Sequence, residues 1–136
     1  MIVACATDDG INFVPRHFGD ALMYNIYKVE SNSILLLKKI ENTSEEEKEH
    51  ADPKKAKGIV SILKEQNVNV ALTKIFGPNI KRISKHLLPV IATQNNIAAE
   101  LEIVKDNVNK INELIESEKK LCFNLNGLKE IAINKG

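Results

Sequence analysis

Arg16-His17-Phe18-Gly19 is the group in this chain whose residue types and order point most directly to chemistry. Neutral imidazole binds transition metals at physiological pH, so His17 is a candidate metal ligand; Gly19 leaves room beside it for something bulky, and Arg16 offers charge to an anionic ligand. His50, at the end of an acidic run, is a candidate second ligand from across a crevice. On composition alone, a plain loop residue is the simpler reading of each histidine. The second candidate segment is Lys74-Ile75-Phe76-Gly77-Pro78-Asn79. There Gly77 allows close backbone approach, a helix starting at Pro78 would aim free N–H groups at an anion, and Lys74, Lys81 and Arg82 add positive charge.

Other reactive residue types read more simply. Cys5 lies inside an apolar run and behaves as a small core residue, and Cys122 is separated from it by most of the chain, so no Cys-x-x-Cys pair marks a structural zinc or a permanent cluster. Asp8 and Asp9 could hold magnesium, but a turn closed by Gly10 accounts for them. No Ser-His-Asp spacing, Walker loop or His-Glu-x-x-His motif is present, so nothing argues for an enzyme. Nineteen basic residues against eighteen acidic ones give a formal charge of +1, which lacks the overall basic field of a dedicated nucleic-acid binder. The first residues carry neither the basic flank nor the apolar length of a signal peptide, and no apolar run reaches membrane-spanning length, so a cytoplasmic location is expected.

The elements that must position these groups follow from hydrophobic patterning. With 136 residues, 43% hydrophobic and 27% charged, the chain is of a size to form one core without disulfides or a structural metal. Ile2 to Thr7 is a short apolar run covered on both faces, ended by Asp8-Asp9-Gly10. Residues 10 to 20 form a long loop with Gly10, Pro15 and Gly19. Leu22 to Val29 and Ile34 to Ile40 pair through a short polar connection, which makes a three-stranded antiparallel meander. Asp52 caps a helix with Pro53 in its first turn, and Ala56, Ile59, Val60 and Leu63 line one face to about Gln66. A strand from Val68 to Thr73, a short helix over about 79 to 86 and a strand from Leu88 to Ala92 complete a β-α-β-α-β series, whose helical crossovers imply parallel pairing. The expected sheet is mixed and five-stranded, in the order 3-2-1-4-5. The carboxyl ends of strands 1 and 4 then lie side by side, a place that ligands favour in open α/β sheets.

Beyond residue 92, Ile97, Leu101, Val104, Val108, Ile111 and Ile115 recur at steps of four and three and predict one helix over about 96 to 118 laid on the sheet. Asn126-Gly127 between two apolar runs predicts a closing hairpin. The division expected is therefore a core over 1 to 92 and a helix-plus-hairpin extension over 93 to 136 packed on the same domain.

The opening strand, Arg16-His17-Phe18-Gly19 with Asp20-Ala21, and Val68 to Val90 with Gly77-Pro78-Asn79 together resemble the dinitrogenase iron-molybdenum cofactor biosynthesis family over roughly residues 1 to 92. The resemblance implies a ribonuclease H-like fold and a non-enzymatic role in binding or carrying an iron-sulfur or molybdenum-containing cluster, passed between donor and acceptor proteins. It implies a cluster-facing His17, with Phe18 and Gly19 shaping the loop and Gly77 lining the site, and it adds weight to His50, because relatives often have a histidine in that connector. Charge complementarity falls to Arg16, Lys74 or Lys81. It implies neither a nucleic-acid nor a membrane partner and leaves a homodimer open. The competing reading is a protein-protein interaction module using the C-terminal helix or hairpin. A ribonuclease H-like nuclease is disfavoured, because strand 1 offers Ala4, Cys5 and Ala6 where a catalytic carboxylate would stand.

Overall fold

In the computed structural model the described residues are 1–42, 53–117, 121–124 and 129–132, with backbone alone for 53–57 and the last two segments. The elements are β1 (Ile2–Thr7), a single 3-10 turn (Phe18–Asp20), β2 (Met23–Glu30), β3 (Ser33–Glu41), α1 (Pro53–Glu65), β4 (Val70–Thr73), α2 (Ile80–Ser84), β5 (Leu88–Ile91), α3 (Ile97–Asp106), α4 (Val108–Glu116), β6 (Leu121–Asn124) and β7 (Lys129–Ala132).

One sheet runs in the order β3-β2-β1-β4-β5-β6-β7. Its first five strands have the expected order and directions: β1 is antiparallel to β2 and β2 to β3, whereas β1, β4 and β5 are parallel. The two strands of the predicted hairpin are present, while its Asn126-Gly127 turn lies outside the described residues. The two strands continue the same sheet, with β6 parallel to β5 and β7 antiparallel to β6. β1 is therefore an interior strand, which is why nearly all of it is buried and why its sequence is a continuous apolar run.

Strand alternation sorts the core into two layers. Val3 and Cys5 of β1 pack with Val70, Leu72, Val90 and the Ile97, Leu101, Val104 and Ile111 stripe, so α3 and α4 cover this face. Ala4 and Ala6 face the other way, against Ile59, Val60, Leu63 and Ile83 of α1 and α2. The small side chains of β1 on this second face leave space for Phe18 and Tyr24, which fill it.

Two helices differ from expectation. The predicted helix over 96 to 118 is divided at Asn107, whose side-chain Nδ2 donates to the Ile103 carbonyl at 2.8 Å while its own N–H turns back to Val104 O at 3.0 Å. A short amide side chain competing for helix carbonyls breaks the ladder locally, although the apolar stripe continues across the break. The stripe lies on its own sheet, with Val104 and Ile111 almost fully buried and Ile115 partly so. The second helix, α2, is shorter than the predicted 79 to 86. It spans five residues, and Ile80 N–H is bonded to Gly77 O at 3.1 Å. The helix-start amide expected to attract an anion is thus already engaged. Asn67 ends α1 at φ 60 with Val68 N–H bonded to Leu63 O and Asn67 N–H to Lys64 O, the paired bonds of a left-handed helix terminus. The predicted cap at Asp52 lies outside the described residues.

Candidate functional site

The loop between β1 and β2 passes over the carboxyl ends of β1 and β4, as the topology requires. Its first half is held by side chains bonding to backbone. Asp9 Oδ1 accepts the N–H groups of Ile11 and Asn12, both at 2.8 Å, while Thr7 Oγ donates to Asn12 O at 2.6 Å and accepts from Gly10 N–H at 2.9 Å. Gly10 takes φ +79 to make this turn, a conformation that favours glycine. The backbone bonds hold the Asp9 carboxyl below its usual range, those from Asn12 and Ile11 being the largest causes. Phe13 N–H reaches Asn95 O at 2.9 Å, Val14 N–H reaches Ala6 O at 3.0 Å and Ile97 N–H reaches Ile11 O at 2.9 Å, so the loop is tied both to β1 and to the chain entering α3.

The second half is held by packing. Phe18 is fully buried, its ring 5.1 Å from that of Tyr24 and 5.6 Å from that of Phe76, and the Tyr24 hydroxyl donates to Phe18 O at 2.7 Å. Phe18 N–H bonds to Ile75 O at 3.0 Å, and His17 pairs with Ile75 in a parallel bridge. The loop is thereby clamped to the segment after β4.

His17 is consequently brought against Gly77. A Cβ added to Gly77 would lie 2.7 Å from the imidazole Cγ and closer still to Nδ1, so any larger residue would push the ring away. Asp20 Oδ2 stands 3.8 Å from His17 Nδ1, within ion-pair reach of a protonated ring. The Asp20 carboxylate thus places negative charge beside the ring. His17 keeps 35% of its side chain exposed, enough to meet a ligand from solvent.

Arg16 has a different place from the one its sequence position suggests. Its guanidinium is bidentate on Asp8, at 2.8 and 3.0 Å, and also donates to Asp20 O at 3.0 Å, while Asp8 Oδ1 accepts Leu22 N–H at 2.9 Å. This pair buckles the two ends of the loop together. Gly19 faces open space, since a Cβ added there would meet nothing within 4 Å, and its carbonyl accepts from Asn42 Nδ2 at 3.1 Å. Lys74 lies next to Ile75 and lines an open cleft of about 650 Å³ together with Ile75, Asn95, Asp8, Asp9 and residues 12 to 15. His17 and Gly77 lie outside that lining. Thus the structure joins His17, Phe18 and Gly77 and sets Lys74 apart; His50 lies outside the described residues.

Cys5 is fully buried, and burial first, then the nearby Glu100 carboxylate, pushes its thiol well above the ordinary range. Glu100 was not singled out by sequence. It is fully buried, and its Oε1 accepts Thr93 N–H, Thr93 Oγ–H and Gln94 N–H at 2.9, 3.0 and 2.7 Å, shaping the turn that carries Asn95. A signal existed: Glu100 stands three residues after Ile97 and four before Val104, inside the apolar stripe.

Among the described residues no helix is long and apolar enough to cross a membrane. No curated protein matches the sequence. Among solved structures, a crystal structure of a Methanocaldococcus jannaschii protein, provisionally described as a dinitrogenase, is 23% identical, covers 98% of this chain and 97% of its own, and superposes with a TM-score of 0.57. At that identity the likeness establishes the fold. The family model for the dinitrogenase iron-molybdenum cofactor matches residues 1–116, beyond the span of the sequence resemblance and through α4. With its loop, its His17–Gly77 contact and its strand order inside that match, the chain belongs to the dinitrogenase iron-molybdenum cofactor family.

Proposed function

We propose that this protein binds and carries a metallocluster of the iron-sulfur or iron-molybdenum type during cofactor assembly, without catalysing a reaction, and that His17 is a direct ligand. The observation that carries this reading is the seat of His17: a partly exposed imidazole, backed by Asp20, on a loop clamped by Phe18 and bearing on a Gly77 that admits no side chain. A carrier must release its cargo, and one imidazole with a shaped loop meets that need better than a closed cage of thiolates. Phe18 and Gly77 act on ring position, and Gly19 leaves open space beside the ring's own segment. Lys81, on the α2 helix that follows Gly77, is proposed to add positive charge. Arg16 contributes through the loop it buckles to Asp8, and His50 is proposed as a second ligand on the strength of the family resemblance alone.

The test is anaerobic mixing of the apoprotein with a [4Fe-4S] cluster or with extracted iron-molybdenum cofactor, followed by gel filtration, metal analysis and visible absorption. Wild type and Cys5→Ala should co-elute with cluster, and His17→Ala should lose most of it. Retention of cluster by His17→Ala with loss in Cys5→Ala would overturn the ligand assignment, and absence of binding by wild type would overturn the carrier reading.

A further inference from the structure

We propose that the cleft at the carboxyl ends of β1 and β4 is a binding site for a small organic monocarboxylate with an apolar body, held at its charged end by Lys74. The inference stands on this cleft alone and does not require the cluster reading, since His17 is not part of its lining.

The volume, about 650 Å³, is that of a small-ligand pocket, and the location is the one where open α/β sheets place ligands. Phe13 and Val14 are buried in its floor, while Pro15 and the exposed Ile75 give it an apolar rim. Its charged groups are unequal. Asp8 is occupied by Arg16 and Leu22 N–H, and Asp9 by the turn it organises. Lys74 makes no hydrogen bond or ion pair among the described residues, nor does the Asn95 side chain, so a cation and an amide remain available on one wall.

The balance of charge selects the ligand. The Asp8 charge is balanced by Arg16, which leaves Lys74 and Asp9 as the unpaired cation and carboxylate of the lining, so a single negative charge is accepted at Lys74 with less repulsion than a polyanion such as phosphate would meet. The exposed apolar rim of Pro15 and Ile75 then favours a hydrocarbon body over a small hydrated ion. Preorganisation is built in: Phe13 N–H to Asn95 O joins the two walls, and Glu100 holds the Thr93–Gln94 turn from beneath, so little ordering is left for the ligand to impose.

Benzoate is a suitable probe, titrated into the full chain with amide NMR as the readout. Shifts should centre on Asn12, Lys74, Ile75 and Asn95, with a Kd on the order of 1 mM for so small a ligand. Lys74→Met should weaken binding about tenfold, the size expected for loss of one hydrogen bond to a charged group, whereas Lys74→Arg and His17→Ala should leave it within about twofold. Benzyl alcohol, the same body without charge, should bind at least about tenfold more weakly. The proposal is overturned if inorganic phosphate shifts the same residues as strongly as benzoate, if benzyl alcohol matches benzoate, or if no shift appears at ~10 mM benzoate. Should Lys74→Met fail to fold, the benzoate, phosphate and benzyl alcohol series on wild type still decides the matter.

Discussion

The two halves of the β1–β2 loop reach the same rigidity by different physics. From Asp8 to Asn12 the chain is held by carboxylates and hydroxyls bonding to exposed backbone, whereas from His17 to Ala21 the burial of Phe18 against Tyr24 and Phe76 is added to polar bonds from Arg16 and Asn42. Interactions of the first kind are individually weak and respond to pH and salt; those of the second are strong and indifferent to both. The candidate metal ligand sits on the hydrophobically anchored half, and the cleft is walled partly by the electrostatically anchored half.

The contrast can be tested by disturbing each anchor in turn. Phe18→Ala should have the largest effect, about 3–5 kcal/mol of stability by denaturant unfolding, since a fully buried aromatic ring is removed. If the loss is below about 1 kcal/mol, packing is not what holds this half. Gly77→Ala comes next. Its methyl would overlap the His17 ring, at about 1–3 kcal/mol, and cluster binding should fall because the imidazole is displaced, an outcome checked by comparing melting and cluster retention in the same preparation. A smaller change is expected for Asp8→Ala. Arg16 is 46% exposed on its side chain, so loss of the ion pair should cost about 0.5–1 kcal/mol after solvent screening, with a dependence on salt that Phe18→Ala lacks.

The smallest effect is that of pH on Asp9. Its carboxyl is depressed in the fold, so its contribution is fully present above the unfolded value of about 4 and is lost as pH falls through the lower folded value. Protection of the Ile11 and Asn12 amides against hydrogen exchange, corrected for intrinsic pH dependence, should decline over that acidic window while that of Phe18 stays constant. Equal loss at both places would erase the distinction between the two halves.

Much of this fold was legible because its signals are local. The apolar run of β1, the stripe from Ile97 to Ile115 and the Gly77-Pro78 break each belong to a few neighbouring residues, and strand order followed from crossover length and direction. Parts of the site were legible for the same reason: His17-Phe18-Gly19 and Gly77 stand out as residue types. What escaped was pairing. That Arg16 would pair with Asp8, that a glycine sixty residues away would bear on His17, and that Glu100 would be buried beneath the Thr93–Gln94 turn are facts about atoms meeting across the chain.

Sequence alone determined the layered α/β architecture, because burying an apolar strand between two amphipathic helical layers leaves few topologies that obey short, right-handed connections. It also determined which residues had the chemistry to act. Tertiary structure decided which of those residues were already engaged: the helix start at Ile80 by Gly77 O, Arg16 by Asp8 and Asp9 by its own turn, with Lys74 left uncommitted among the described residues. The physical reason is that charge and hydrogen-bonding capacity are properties of a residue type, whereas their availability depends on distances of a few ångströms between segments that are remote in the chain.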